Sequence, residues 1–214
     1  MDVILDNLGR FATGVHTTVT LTLLSWAAAF AIGLVVASFR VGPIAPLRAA
    51  ATTYVELVRN CPLAVLFVFF FFGLPKVVGV YPAYTTAVIV LALYTGTYVT
   101  ETIRSGINSV AGGQAEAARS LGLTFPQLLA YVVLPQALRT VVAPLGNLFI
   151  ALTKNSSIAF TISVGELTGT AQRVGNATDN YHAAFLAAAV GYLLLTIPSG
   201  LLFGAIERRV AVKR

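Results

Sequence analysis

Apolar residues along the chain gather into five long blocks separated by short polar interruptions. The blocks run at about Val15 to Phe39, Thr52 to Leu74, Ala83 to Thr102, Leu138 to Phe160 and Tyr181 to Ile206. Each reaches the roughly 20 residues that a helix needs to cross a bilayer. The pattern therefore predicts an all-α membrane protein with five transmembrane helices. The first block is too long for the core of a signal peptide and follows Asp2 and Asp6 instead of a positive segment, so it is expected to stay in the membrane.

Two blocks are irregular. In the second, Arg59-Asn60-Cys61-Pro62 interrupts the run, and because proline lacks the N–H for one helical hydrogen bond, a kink or break is expected near Cys61. In the fourth, Pro135, Pro144 and Gly146 are expected to break the first half, and Lys154-Asn155-Ser156-Ser157 places a polar patch where a simple span would be apolar. Broken helices and polar side chains at membrane depth are tolerated mainly where they line a cavity. Gly200 and Gly204 in the fifth block form a small-xxx-small pair, which suits either packing inside the chain or a seam with another copy.

The longest stretch without a sustained apolar run is Ser105 to Gln136. Gln114 to Leu121 is a run of good helix formers, with Glu116 near its start and Arg119 near its end, as the helix dipole favours. Gly122 is placed to end that helix in a left-handed cap, and Thr124 followed by Pro126 is placed to begin another. The expected arrangement is helix, tight turn, helix. Ala117, Ala118 and Leu121 leave a small apolar face, and Leu123 and Phe125 at the turn are expected to be exposed until a partner covers them.

Composition agrees with a membrane protein of a single domain spanning residues 1–214: 57% of residues are hydrophobic, 10% are charged, and mean hydropathy is +0.83. The net charge of +6 could suggest nucleic acid, but the basic residues stand singly at the ends of apolar blocks, which is how topology determinants are distributed. With the C-terminus inside, Arg40, Arg48, Arg104, Arg119, Arg139, Arg208, Arg209, Lys213 and Arg214 fall on the inner side and only Arg10, Lys76 and Arg173 outside. The positive-inside rule thus predicts an outer N-terminus and an inner C-terminus. Cys61, the single cysteine, excludes an internal disulfide and any cysteine metal cage, and His16 and His182 are isolated, so no metal site is expected.

Charged residues within or beside the spans invite two readings each. Arg59 either snorkels to the interface or pairs with Glu56 or Glu101, since an uncompensated charge in hydrocarbon costs about 2.5 to 3.5 kcal/mol on insertion scales. Glu101 and Arg104, three apart on one helical face, form either an interfacial ion pair that positions the polar stretch or an inner gate.

The polar stretch resembles the EAA loop of permease subunits in bacterial ABC importers through Glu116-Ala117-Ala118, Gly122, Val132 and Leu134-Pro135. Thr17 to Thr22, Glu56 to Leu63, Tyr98 to Ile107, Pro144 to Asn147 and Leu152 to Ser157 extend the likeness over nearly the whole chain, toward the polar amino acid branch. The resemblance implies the type I ABC importer permease fold. It implies ATPase coupling through Glu116, Ala117, Ala118, Gly122, Leu123 and Phe125, and a substrate path near Lys154, Asn155, Ser156, Ser157 and Glu166. In that picture Glu166 holds the ammonium of an amino acid and Lys154 or a half-helix N-terminus its carboxylate; the other reading of Glu166 is a solvated loop residue.

The partners implied are two ABC ATPase subunits, which bind ATP and magnesium, a second permease subunit, identical or homologous, and an extracytoplasmic substrate-binding protein. The implied location is the bacterial cytoplasmic membrane. Glutamate or glutamine is the substrate suggested by the EAA-like and Ala151 to Asn155 segments, and no nucleic acid is expected. No lysine follows a glycine, so no phosphate-cradling G-x-x-x-x-G-K-[ST] loop is present, and the chain is expected to be a non-catalytic subunit. An ATP-independent secondary transporter or channel is the alternative, with polar membrane residues carrying a coupling ion. A membrane scaffold is a third class, disfavoured because broken polar spans are costly without a cavity.

Overall fold

The computed structural model describes residues 2–210, excluding the side chains of Asp2, Lys76, Val78, Ala115, Phe125, Pro126 and Leu129. The described residues fold into helices and their connections, with no strand among them. α1 (Leu8–Val41) runs over a turn beyond the expected first span at its start, and its 34 residues reach roughly 51 Å. Gly42 and Pro43 end it where the sequence predicts.

The second block is a broken pair. α2 (Ala45–Arg59) and α3 (Leu63–Val68), which continues into a π-helical turn (Phe69–Gly73), meet at 102° across Asn60 to Pro62. Of the kink or break expected near Cys61, the structure has the break, and α2 begins several residues before the predicted span. Pro62 sits just ahead of α3, where its missing N–H costs nothing. Among the described residues, four helices are long and apolar enough to cross a membrane, and a fifth span results if the bent pair is one.

α4 (Ala83–Asn108) lies along α1, and a Cβ at Gly33 of α1 would collide with Val99 of α4. Ser25, Thr95, Thr97 and Thr100 are buried along these helices; the Thr97 and Thr100 hydroxyls bond back to their own helix and that of Ser25 reaches Val88 O on α4. Then come α5 (Gly112–Ser120), a short turn (Phe125–Leu128), a π-helical turn (Leu129–Val133) and α6 (Leu134–Asn155). The expected break at Pro144 and Gly146 does not occur, because α6 runs through both. Pro144 faces an open cleft, so the carbonyl it leaves without a helical partner is not sealed in hydrocarbon. The irregularity falls instead at the ends, in the π turn before α6 and a 3-10 helix after it (Ser156–Ile162).

α7 (Leu167–Thr178) lies between that 3-10 helix and α8 (Tyr181–Val210). One core joins Leu21, Leu63, Phe67, Leu91, Leu152 and Ile162; a second joins Phe11, Leu167, Val174 and Ala184. α8 buries only Ala184, Ala188 and Gly191 and exposes a face rich in leucine. A Cβ built at Gly200 would meet only Ile150 Cδ1, at 3.5 Å, and one at Gly204 only Arg208 Nη1, at 3.8 Å, among the described residues, so the small-residue pair makes no tight internal packing.

Candidate functional site

At one end of the bundle the chain leaves α4 at Ser109, whose hydroxyl donates to Gly106 O at 2.7 Å, and enters α5 after an extended Ala111. α5 ends in a Schellman motif. Leu123 N–H donates to Ala118 O at 3.2 Å, Gly122 N–H donates to Arg119 O at 2.9 Å, and Gly122 holds φ +82°. Thr124 then uses its backbone N–H and its hydroxyl on Gln127 Oε1, at 2.9 and 3.0 Å, to start the next turn. The cap and turn are those read from the sequence.

The apolar face differs. Ala118 is buried and Leu123 is half-buried, because α5 lies on the segment that follows it. Glu116 and Ala117 are exposed, and Leu121, at 83% exposure, is the apolar residue presented outward. The side chain of Phe125 lies outside the described residues.

Above α5, Glu101 of α4 binds two arginines. Arg104 donates to its Oε2 from Nη2 at 2.8 Å and from Nε at 3.2 Å, and Arg40, from the last turn of α1, pairs with its Oε1. The carboxylate ties the ends of α1 and α4 together. Of the two readings of Arg59, pairing with Glu56 or Glu101 is not found; its guanidinium lies over the Tyr98 ring, 4.9 Å from the centroid. Two facts account for this. Arg40 already occupies the free oxygen of Glu101, and α2 ends at Arg59, which leaves the side chain against α4.

Three clefts adjoin along this wall. The first, about 430 Å³, includes Arg59, Glu101, Arg104, Ser109, Thr140 and Pro144. The second, about 320 Å³, shares Arg59 and Glu101 and adds Arg40, Glu56, Asn60 and Tyr98. The third, about 230 Å³, shares Tyr98 and adds Tyr94, Thr95, Leu148 and Asn155. They make one groove along α2, α4 and α6, from the foot of α4 to the end of α6. Tyr94 and Tyr98, one turn apart, share a hydroxyl hydrogen bond of 3.0 Å. Arg40, Arg59 and Arg104 face Glu56 and Glu101 across the first two clefts, so the groove carries one positive charge in excess.

Of the residues expected on a substrate path, Asn155 alone lines this groove. Lys154 is exposed on the last turn of α6, where its ammonium suits the helix dipole. Ser156 is buried and donates to Thr153 O at 2.7 Å, and Ser157 is half-buried.

Glu166 requires a correction, since it neither faces solvent nor opens on the groove. It is fully buried as the N-cap of α7, with Oε1 accepting from Gly169 N–H at 2.7 Å and Oε2 from Thr168 N–H at 2.8 Å and the Tyr192 hydroxyl at 2.6 Å. Burial pushes this carboxyl above its ordinary range, and the three hydrogen bonds and the nearby Arg173 pull the other way. A charge held by three donors at a helix N-terminus is a structural cap.

Sequence reasoning missed Tyr94, Tyr98 and the part played by Arg40. The available signal for the tyrosines was their i, i+4 spacing on one helical face. For Arg40 there was only its place at the end of an apolar block.

This architecture is a membrane-embedded permease: broken and polar spans beside a groove, with an exposed helix at its foot. Residues 11–212 match the family described as binding-protein-dependent transport system inner membrane component, and the chain belongs to that family. It is similar to the glutamate transport system permease protein GluC of Corynebacterium glutamicum, 42% identical with 92% of each chain covered. It is also similar to the probable glutamine ABC transporter permease protein GlnM of Bacillus subtilis, 35% identical over 98% of this chain and 97% of the other. A crystal structure of an amino acid ABC transporter with histidines superposes with a TM-score of 0.92 at 34% identity, covering 96% of each chain.

Proposed function

We propose that this chain is the non-catalytic transmembrane subunit of an ATP-driven importer for glutamate or glutamine, acting as one permease domain with its N-terminus outside and its C-terminus in the cytoplasm. One observation carries the reading. α4 supplies Tyr94, Tyr98, Glu101 and Arg104 to the groove and leads directly into α5, so a push on α5 is felt along the groove wall. Two ATPase subunits, which bind ATP and magnesium, dock on Glu116, Ala117, Leu121 and the Gly122 turn, while Ala118 and Leu123 fix α5 to its own chain. A second permease subunit completes the conduit, and an extracytoplasmic binding protein delivers the amino acid.

Within the groove, Arg59 and Asn155 supply donors for a substrate carboxylate, and the positive excess disfavours a cationic substrate. Arg40, Glu101 and Arg104 act as the inner closure, because these ion pairs link the two helix ends beside the exit. The relatives named for glutamate and glutamine transport support this substrate class.

The test is ATP hydrolysis by the complete transporter in lipid, with its ATPase and binding protein loaded in turn with glutamate, glutamine, histidine or arginine. Stimulation is expected with glutamate or glutamine and abolished by Leu121→Asp. Uptake that persists without any ATPase would overturn the reading in favour of a secondary transporter.

A further inference from the structure

At the end of the molecule opposite α5, two arginines share one cleft that the import reading leaves unused. The cleft, about 370 Å³, is lined by Arg10 and Thr13 of α1 and by Gly165, Thr170 and Arg173 from the segment that begins and forms α7. Both arginines are exposed, and neither has a carboxylate within ion-pair distance among the described residues.

Their spacing is built into the packing. Gly14 sits so close to Thr170 that a Cβ there would come within 2.7 Å of its hydroxyl oxygen, and Leu167 N–H donates to the Thr18 hydroxyl at 3.0 Å. These contacts lock α1 to α7. Arg10 lies one turn from Gly14 and Arg173 one turn from Thr170, so both side chains start from backbone that is fixed in relative position. Gly165 finishes the site: the Arg173 guanidinium lies against its α-carbon, in space that a Cβ would take. Two planar, permanently charged donors lining one cleft suit carboxylate oxygens.

We propose that Arg10 and Arg173 form a docking cleft for an acidic side chain on the extracytoplasmic binding protein. The inference rests on the import reading, which supplies that partner and places this end outside. A lipid headgroup carries similar anionic chemistry, but such a site continues into an apolar slot for the acyl chains. Among the described residues, no large apolar side chain lines this cleft. Docking here also bears on the outer structure, because Gly165 adjoins Glu166, the cap that joins α7 to Tyr192 of α8.

The experiment titrates substrate-loaded binding protein against the complete transporter in vesicles and reads half-saturating concentration and maximal ATPase rate separately. In the Arg10→Glu, Arg173→Glu double variant, the half-saturating concentration is expected to rise about tenfold or more with the basal and maximal rates retained, and its salt dependence to flatten. A lysine replacing the acidic partner on the binding protein restores affinity. Gly165→Ala, which displaces Arg173 without removing charge, is expected to raise the same concentration by a smaller factor, so the proposal stays testable if the double variant folds poorly.

An unchanged half-saturating concentration in both variants, with the unaltered transporter responding normally, overturns this inference alone. If the variants instead change only the response to the vesicles' anionic lipid fraction, the cleft is a headgroup site and the proposal is also overturned. Absence of stimulation in the unaltered transporter by any loaded binding protein overturns the import reading and this inference with it.

Discussion

Replacing Glu166 with glutamine separates a structural cap from a substrate contact. The carboxylate accepts three short hydrogen bonds while fully buried, and glutamine retains one accepting oxygen and turns an amide toward donors. At least one buried N–H loses its partner, at about 1–3 kcal/mol, and the surviving bonds fall from charge-assisted to neutral, at about 1 kcal/mol each. Relief of a buried charge offsets part of this loss, leaving roughly 2–3 kcal/mol. For a chain of this size that lowers the apparent melting temperature by roughly 5–10 °C. The assay is thermal unfolding of the reconstituted chain beside the substrate dependence of its ATPase. A lower melting temperature with unchanged half-saturating substrate is expected, and Glu166→Asp, which keeps a good capping carboxylate but shortens the reach to Tyr192, should fall between. An unchanged melting temperature with a raised half-saturating substrate concentration refutes the cap assignment.

The Gly122 turn gives a backbone test: a built Cβ meets nothing among the described residues within 4 Å, so the main cost of Gly122→Val is its left-handed conformation, about 1–2 kcal/mol; it should reduce ATPase coupling, whereas Gly122→Asn should largely retain it. At the ion cluster, Arg40→Gln should lower the melting temperature more than Arg104→Gln, because Arg40 bridges two helices and is 15% exposed while Arg104 pairs within its own helix and is 37% exposed; equal shifts would discount the bridge. In the groove, Tyr98→Leu removes the ring beneath Arg59 and should raise half-saturating substrate severalfold, while Tyr98→Phe keeps the ring and should change it less. Equal effects would assign the role to the hydroxyl.

Features specified within a few residues were legible in the sequence. The Gly122 cap, the Thr124 turn and the break at Asn60 to Pro62 follow from local backbone chemistry, and the five apolar blocks follow from the length of a bilayer. Features that depend on how helices cross were not. Whether Arg40 or Arg59 reaches Glu101 is decided by the approach of α1 to α4, and pairing rules along one helix carry no such information. Pro144 is a helix breaker by local chemistry, yet α6 runs through it because the carbonyl it frees opens on a cleft, and only the packing of the helices shows that. Glu166 did carry a local signal, a carboxylate two residues before Thr168 and three before Gly169 at a helix start, which fits a cap as well as a ligand.

The closure of α5 has a consequence for how such a surface evolves. Its end is fixed by main-chain bonds from Leu123 and Gly122, and among the described side chains its inner side rests on Ala118 and the half-buried Leu123. Shape therefore draws on few side chains, and the outward positions at Glu116, Ala117 and Leu121 are free to change in step with a partner without endangering the fold. On the proposed docking, mechanical form is set by the backbone cap that closes α5 and partner identity by its outward side chains, so a permease lineage could exchange motors while keeping the same lever.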